Sequence, residues 1–112
     1  MQPMIELVFS PAALRKLDSI YNYLQAILDD PGMAAARITS LLDSLGTLKQ
    51  NPEIGPRLSS RINEVPERFA ETRFLVRQDY ITIYDYLDET VQVLAIYHCR
   101  EDAFGRFFSE VG

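Results

Sequence analysis

Residues 73 to 98 read RFLVRQDYITIYDYLDETVQVLAIYH, and this stretch decides the fold of the chain. Apolar or aromatic side chains recur at alternate positions, as is typical of β-strands. The pattern predicts three strands, over residues 73 to 76, 80 to 87 and 90 to 98, with turns at Gln78-Asp79 and Asp88-Glu89. Links this short favour antiparallel neighbours, so we expect a three-stranded meander.

The last two predicted strands carry apolar side chains on both faces. In one strand the consecutive residues Ile83 and Tyr84 are expected to point to opposite faces, and in the next strand Val93 and Leu94 do the same. One face is expected to cover helices, and the other is too apolar to face water. We therefore expect the second face to receive a partner protein or a second copy of the chain.

Upstream of the meander, the apolar period lengthens to that of a helix. Ser10-Pro11 and Asp30-Pro31 each combine a capping residue with proline at the first helical position. They predict two amphipathic helices, joined by a link so short that the helices fold back antiparallel. A short strand over residues 5 to 9 is expected before them, and the aromatic tail at residues 104 to 108 predicts a short terminal helix.

Length and composition predict one domain over residues 1 to 112. The chain has 112 residues, of which 47% are hydrophobic, enough to bury a core without a disulfide. Cys99 is the only cysteine, so a disulfide framework and a multi-cysteine zinc site are excluded, and a reducing cytoplasm is expected. No apolar run has the length of a membrane span. We predict no metal and no cofactor.

Charge is distributed unevenly along the chain. The net charge of −5 opposes broad adhesion to phosphate backbones. Residues 57 to 77 nevertheless hold five arginines against three glutamates, so this segment is positive, and no lysine follows Lys49. The segment predicts either a binding patch or a solvated, salt-bridged connection.

The order of elements resembles that of the ParE/RelE toxins of type II toxin–antitoxin modules. The resemblance runs from Ile5 to Asp102 and includes Asn51-Pro52-Glu53-Ile54-Gly55 after the second helix. Its most specific parts are Arg73-Phe74-Leu75-Val76, Tyr80-Ile81-Thr82-Ile83-Tyr84, and the closing strand that ends in His98-Cys99-Arg100-Glu101-Asp102. It implies a RelE-like α+β fold, in which a strand and a helical hairpin precede an antiparallel meander and a short helix. It also implies an antitoxin partner and a role in plasmid stabilisation as an addiction module.

The family divides by target, and its two branches need different chemistry. RelE-like members cleave mRNA on the ribosome, which requires an acid, a base and cations. Under that alternative the catalytic residues are His98, Arg68 and Arg73. ParE-like members bind DNA gyrase, which requires only a surface. Because an acidic, lysine-poor body opposes entry into a site lined by RNA phosphate, we predict a ParE-like toxin that is not an enzyme. An mRNA endonuclease and an inactive toxin-fold binding module are the alternatives.

Two surfaces are predicted on this basis. Target binding is assigned to Arg57, Arg61, Arg68 and Arg100, and antitoxin binding to Tyr84, Tyr86, Phe104 and Phe107. A homodimer is also possible.

Structural roles compete with these assignments. Arg68 and Arg73 could pair with Glu64, Glu67 or Glu71. His98 could cap the sheet edge on the face of Leu94 and Ile96, which would place Tyr97 on the opposite face.

Overall fold

The computed structural model describes residues 4–111 and contains the predicted order of helices and strands. Three 3₁₀ turns also occur, at Gly46–Lys49, Leu58–Ser60 and Glu67–Phe69. The main elements are β1 (Glu6–Phe9), α1 (Pro11–Leu28), α2 (Pro31–Leu45), β2 (Arg73–Arg77), β3 (Tyr80–Leu87), β4 (Thr90–His98) and α3 (Ala103–Val111). The predicted α+β fold is confirmed. Among residues 4–111, no helix is both long and apolar enough to cross a membrane.

The four strands form one sheet in the order β1-β4-β3-β2. β2, β3 and β4 are the antiparallel meander expected from the short turns. β1 joins the far edge and runs parallel to β4, with Glu6 opposite Thr90 and Phe9 opposite Val93. The helical hairpin is the crossover that leads from β1 across the sheet to β2.

Both predicted helix caps form. Ser10 Oγ accepts a hydrogen bond from the Ala13 amide at 3.1 Å and donates one to the Leu94 carbonyl at 2.8 Å. Asp30 accepts from the Gly32 amide at 2.9 Å and so begins α2. Asp29 ends α1 in the left-handed conformation, with φ of 51°. The start of α1 is therefore tied to β4 as well as to its own first turn.

The hairpin buries its apolar stripe against one face of the sheet. Leu17 and Ile20 of α1 and Leu41 of α2 pack with Val93 and Ile96. A neighbouring cluster joins the end of α2 to β2 and β3, through Leu45, Leu48, Leu75, Tyr84 and Val91. Burial of these side chains is the main source of stability in a domain of this size.

The second face of the sheet is covered by the same chain. Phe107 of α3 lies edge-on to Phe69, with ring centroids 5.1 Å apart, and both pack against the sheet with Leu58. The expectation that a partner covers this face is wrong for its centre, because α3 and the segment before β2 supply the apolar cover. Tyr84 and Phe107, assigned to an antitoxin-binding surface, are both buried in the core and do not form an exposed surface: Tyr84 packs on the helical face and Phe107 on the second face.

A β-bulge in β4 changes which side chains share a face. Ile83 is paired with Ala95 but Tyr84 with Val93, which leaves Leu94 as the extra residue. Val93 therefore lies on the helical face with Ile96, while Leu94 packs on the second face. Strict alternation predicted that Leu94 and Ile96 share a face. This prediction is wrong, because the extra residue of the bulge moves the residues of β4 that precede it to the opposite face.

Candidate functional site

The three residues predicted for ribonuclease chemistry do not come together. Arg73 is paired with Tyr84 in the middle of β3, whereas His98 is paired with Tyr80 at its start. Four residues of strand separate these positions, roughly 13 Å at about 3.3 Å per residue, and the two side chains belong to strands that are not neighbours. Arg68 lies outside the sheet, with its guanidinium 4.7 Å from the Phe69 ring centroid and a hydrogen bond to the Val111 carbonyl.

Arg73 holds the loop that follows the second helix. Its guanidinium donates to the Gly55 carbonyl at 2.7 Å and to the Glu53 carbonyl at 3.1 Å, and it lies 3.5 Å from the Glu53 carboxylate. Gly55 is required here, since a Cβ would lie 2.2 Å from the Phe74 carbonyl oxygen. The structural alternative expected Arg73 to pair with Glu64, Glu67 or Glu71, but the glutamate beside it is Glu53.

The arginine segment, residues 57 to 77, keeps three of its cations at the surface. Arg57 pairs with Glu71 at 2.9 Å, and Arg61 lies over the Phe74 ring at 5.9 Å. Arg68 packs on Phe69 as described above. All three arginines are exposed, so they remain available to a binding partner while contributing little to stability.

Arg100, the fourth arginine assigned to the target surface, lies elsewhere. It follows β4, and its amide donates to His98 Nδ1 at 3.0 Å. The His98 ring is half-buried and stands edge-on to Tyr80, with centroids 5.3 Å apart. The structure therefore separates Arg100 from Arg57, because Arg57 bridges Arg73 on the β2 edge of the sheet, whereas Arg100 follows β4, two strands away.

Glu101 anchors the turn that carries His98 and Arg100. Its carboxylate accepts from the His98 amide at 3.0 Å and from Lys16 at 2.7 Å, and it pairs with Arg106 of α3. Burial alone would raise the pKa of Glu101, but the hydrogen bonds from Lys16 and from the His98 amide, with the charges of Lys16 and Arg106, lower its pKa below the ordinary value. The turn is therefore fixed to both α1 and α3.

Tyr97 lies on the second face, beneath this network. Its ring lies between Lys16 at 5.5 Å and Arg106 at 5.7 Å, and its hydroxyl donates to Glu110 at 2.9 Å. Burial, with the hydrogen bond to Glu110, raises the pKa of Tyr97 far above its ordinary value. It therefore acts as a packed hydrogen-bond donor, and the predicted separation of Tyr97 from the face of His98 holds.

A groove opens between the ends of α1 and α2 and the β2–β3 turn. It encloses about 660 Å³ and continues into a smaller hollow of about 400 Å³ beside Lys16 and Arg100. Its walls include Tyr23, Ile27, Met33, Arg37, Tyr80 and His98. Three of these apolar side chains are at least half exposed: Tyr23 at 63%, Ile27 at 58% and Met33 at 50%. Apolar exposure concentrated in one concavity is typical of a protein-binding site.

Sequence reasoning missed this groove. It placed a partner near Phe104 and Tyr86, which are half-buried, and Phe104 stacks edge-on with Phe74 at 5.2 Å. The sequence signal that could have indicated the groove is the width of the apolar stripe on α1. Ile27 belongs to this stripe, but the sheet leaves it exposed. Among the described residues, no group of His, Cys, Asp or Glu side chains could hold a metal ion.

A strand and helical hairpin followed by an antiparallel meander and a short helix define a small α+β domain. The chain belongs to one family with this fold: the model for the ParE toxin of type II toxin–antitoxin systems, parDE, matches residues 7–103.

Solved structures share this fold. The chromosomal ParDE system of P. aeruginosa aligns with a TM-score of 0.64 and 24% identity, covering 85% of this chain and 96% of that one. The RelBE2 toxin–antitoxin complex of Mycobacterium tuberculosis aligns with a TM-score of 0.54 and 22% identity, covering 86% and 99%. No curated protein matches the sequence.

Proposed function

We propose that the protein inhibits growth by binding DNA gyrase in the cytoplasm and that a cognate antitoxin neutralises it. Membership of the ParE toxin family supports the toxin role. The observation that carries the choice of target is the separation of Arg73 and His98, which pair with Tyr84 and Tyr80 of β3 and belong to strands that are not neighbours, so that the imidazole has no cationic partner from that set. A toxin that works by binding needs no such assembly.

The arginine segment is the proposed target-binding surface. Arg57, Arg61 and Arg68 project from an otherwise acidic chain, and each is exposed. A local positive patch attracts an acidic partner and speeds its association even when the net charge is negative. Gyrase engaged on DNA offers such an acidic surface.

An antitoxin is proposed as the second partner. One similar structure is a toxin–antitoxin complex and the other a ParDE system, and the groove supplies exposed apolar surface on which a second protein could dock. Because Arg57, Arg61 and Arg68 do not line the groove, antitoxin and target would contact different residues. Neutralisation then requires an antitoxin large enough to extend from the groove and block access of the target to the arginine segment.

The test is induced expression with three readouts: growth, cleaved DNA trapped on purified gyrase, and cleavage of ribosome-bound mRNA. We expect growth arrest and accumulation of gyrase-cleaved DNA with intact mRNA, and co-expression of the neighbouring gene should restore growth. Cleaved mRNA with unaffected gyrase would replace this proposal with the ribonuclease. Normal growth with a folded protein would leave an inactive binding module.

A further inference from the structure

We propose that the groove selects its occupant through an acidic side chain, which binds His98 Nε2 and Arg100. This inference rests on the proposed function, because the occupant is taken to be the antitoxin. The occupant is an amphipathic helix whose apolar stripe covers Tyr23, Ile27 and Met33 and whose carboxylate enters the smaller hollow.

The hydrogen bonding of His98 leaves one donor for a partner. Nδ1 accepts from the Arg100 amide at 3.0 Å, so the neutral ring carries its proton on Nε2. Within residues 4–111, Nε2 has no hydrogen-bond partner in the structure. Since His98 lines both the groove and the smaller hollow, an acceptor that enters there can meet this N–H.

The charges around the hollow favour an anion as that acceptor. Lys16 and Arg106 are both paired with Glu101. Arg37 and Arg100 form no ion pair with any described residue, and the remaining acid at the rim is Asp79. A single carboxylate therefore complements the site, whereas a basic side chain would meet like charges.

One of the two donors, His98, is held in place before any partner arrives. The His98 ring is fixed by the Arg100 amide and by Tyr80, and its backbone amide is bound by Glu101. Glu101 is bound in turn to Lys16 of α1. A rigid imidazole loses little conformational entropy on binding, so its hydrogen bond to the carboxylate can contribute fully to affinity.

The experiment measures affinity of the full-length toxin for the antitoxin encoded beside it. The variants are Arg100→Glu and His98→Gln, and the control is Arg15→Glu, which makes the same charge change at an exposed residue of α1 that lines neither the groove nor the smaller hollow. We expect Arg100→Glu to weaken binding by roughly tenfold or more and His98→Gln by less, while Arg15→Glu stays within about twofold of the wild type. Thermal melting of each variant establishes that it is folded.

A second arm looks for the carboxylate itself. Each acidic residue of the antitoxin is changed to lysine and tested against wild-type toxin and Arg100→Glu. One such change should weaken binding to the wild type and restore binding to Arg100→Glu. If wild-type affinity is tight but neither toxin variant alters it, the acidic contact is refuted and the antitoxin partnership stands. If the wild type does not bind the antitoxin, both fail.

Discussion

The hydroxyl of Tyr84 donates a hydrogen bond to the Pro52 carbonyl, 2.8 Å away, and accepts one from the Gly55 amide at 3.0 Å. A single side chain in the centre of the sheet thus closes both ends of a four-residue loop. Burial raises the pKa of Tyr84, against the hydrogen bond from Gly55 and the charge of Arg73, so the hydroxyl remains a donor across the physiological range. The loop is thereby tied to β3 by the side chain of Tyr84 and to β2 by that of Arg73.

Replacing Tyr84 by phenylalanine should destabilise the protein by about 1 to 3 kcal/mol, because two buried backbone groups lose their partner. Urea unfolding measures the change. Tyr86→Phe is the matched control, since its half-buried hydroxyl makes no hydrogen bond to a described residue, and its effect should stay within about 0.5 kcal/mol. Equal effects of the two substitutions would contradict a specific role for the Tyr84 hydroxyl.

Two buried threonines should respond to valine substitution with opposite signs. The Thr82 hydroxyl is buried without a partner among the described residues, whereas Thr72 donates to Asp85. Thr82→Val removes an unsatisfied polar group and should stabilise by about 1 kcal/mol, while Thr72→Val should destabilise by about 1 to 3 kcal/mol. Calorimetric melting of both variants checks the signs, and a loss of stability in Thr82→Val would mean that the hydroxyl has a partner.

The stability supplied by Glu101 should depend on pH. Its pKa in the folded protein is below the ordinary value of 4.5, so its contribution is fully present above that value and is lost as pH falls through the depressed pKa. The difference in unfolding free energy between wild type and Glu101→Gln should therefore be largest near neutrality and shrink in acid. Denaturant titrations over that range measure it. A pH-independent difference would show that packing, not charge, sets the role of Glu101.

Reversing three charges of the arginine segment should separate binding from folding. In the triple variant Arg57→Glu, Arg61→Glu, Arg68→Glu, one exposed ion pair with Glu71 is lost, and each such pair contributes only about 0 to 1 kcal/mol. We expect a modest change in melting temperature and a sharp fall in toxicity, because a positive patch becomes negative. Affinity for the antitoxin serves as the control and should persist. A normally folded and fully toxic variant would place the target surface elsewhere.

Replacing His98 by alanine should leave growth inhibition largely intact in the absence of antitoxin, because the gyrase proposal assigns the imidazole no proton transfer. A ribonuclease that used His98 as acid or base would lose on the order of 10² to 10⁴ in rate. Growth assays with folded protein, run beside ribosome-bound mRNA cleavage, distinguish the two. Complete loss of toxicity in a folded variant would favour the ribonuclease.

The elements of the fold were predictable because their signals are local. The alternation over residues 80 to 98 and the caps at Ser10 and Asp30 depend on neighbours in sequence. The strands and helices that they predict all form. The bulge at Leu94 was not predictable, because it depends on a register set by another strand. It also explains why the inference from alternation placed His98 correctly beside Ile96 but wrongly beside Leu94.

The candidate site was less predictable than the fold. Tyr84 and Phe107 are aromatic, which suits either an interface or a core, and only the position of α3 and the loop at Pro52 decides between them. Residues 23 and 100 are far apart in sequence, so no spacing rule indicated that both line connected hollows. Composition alone indicated the basic segment. Only the strand pairing in the sheet shows that Arg100 lies apart from Arg57.

The bond from Ser10 to Leu94 joins residues 84 positions apart and sets a limit on when the protein can finish folding during synthesis. β1 lies at the edge of the sheet beside β4, and it can pair with β4 only after nearly the whole chain has been made. At about 5 to 20 residues per second, the first strand waits on the order of 4 to 17 s after leaving the ribosome. During that interval the apolar stripe of the helical hairpin has no sheet to cover it, so the nascent chain is exposed to chaperones and proteases until its last strand emerges.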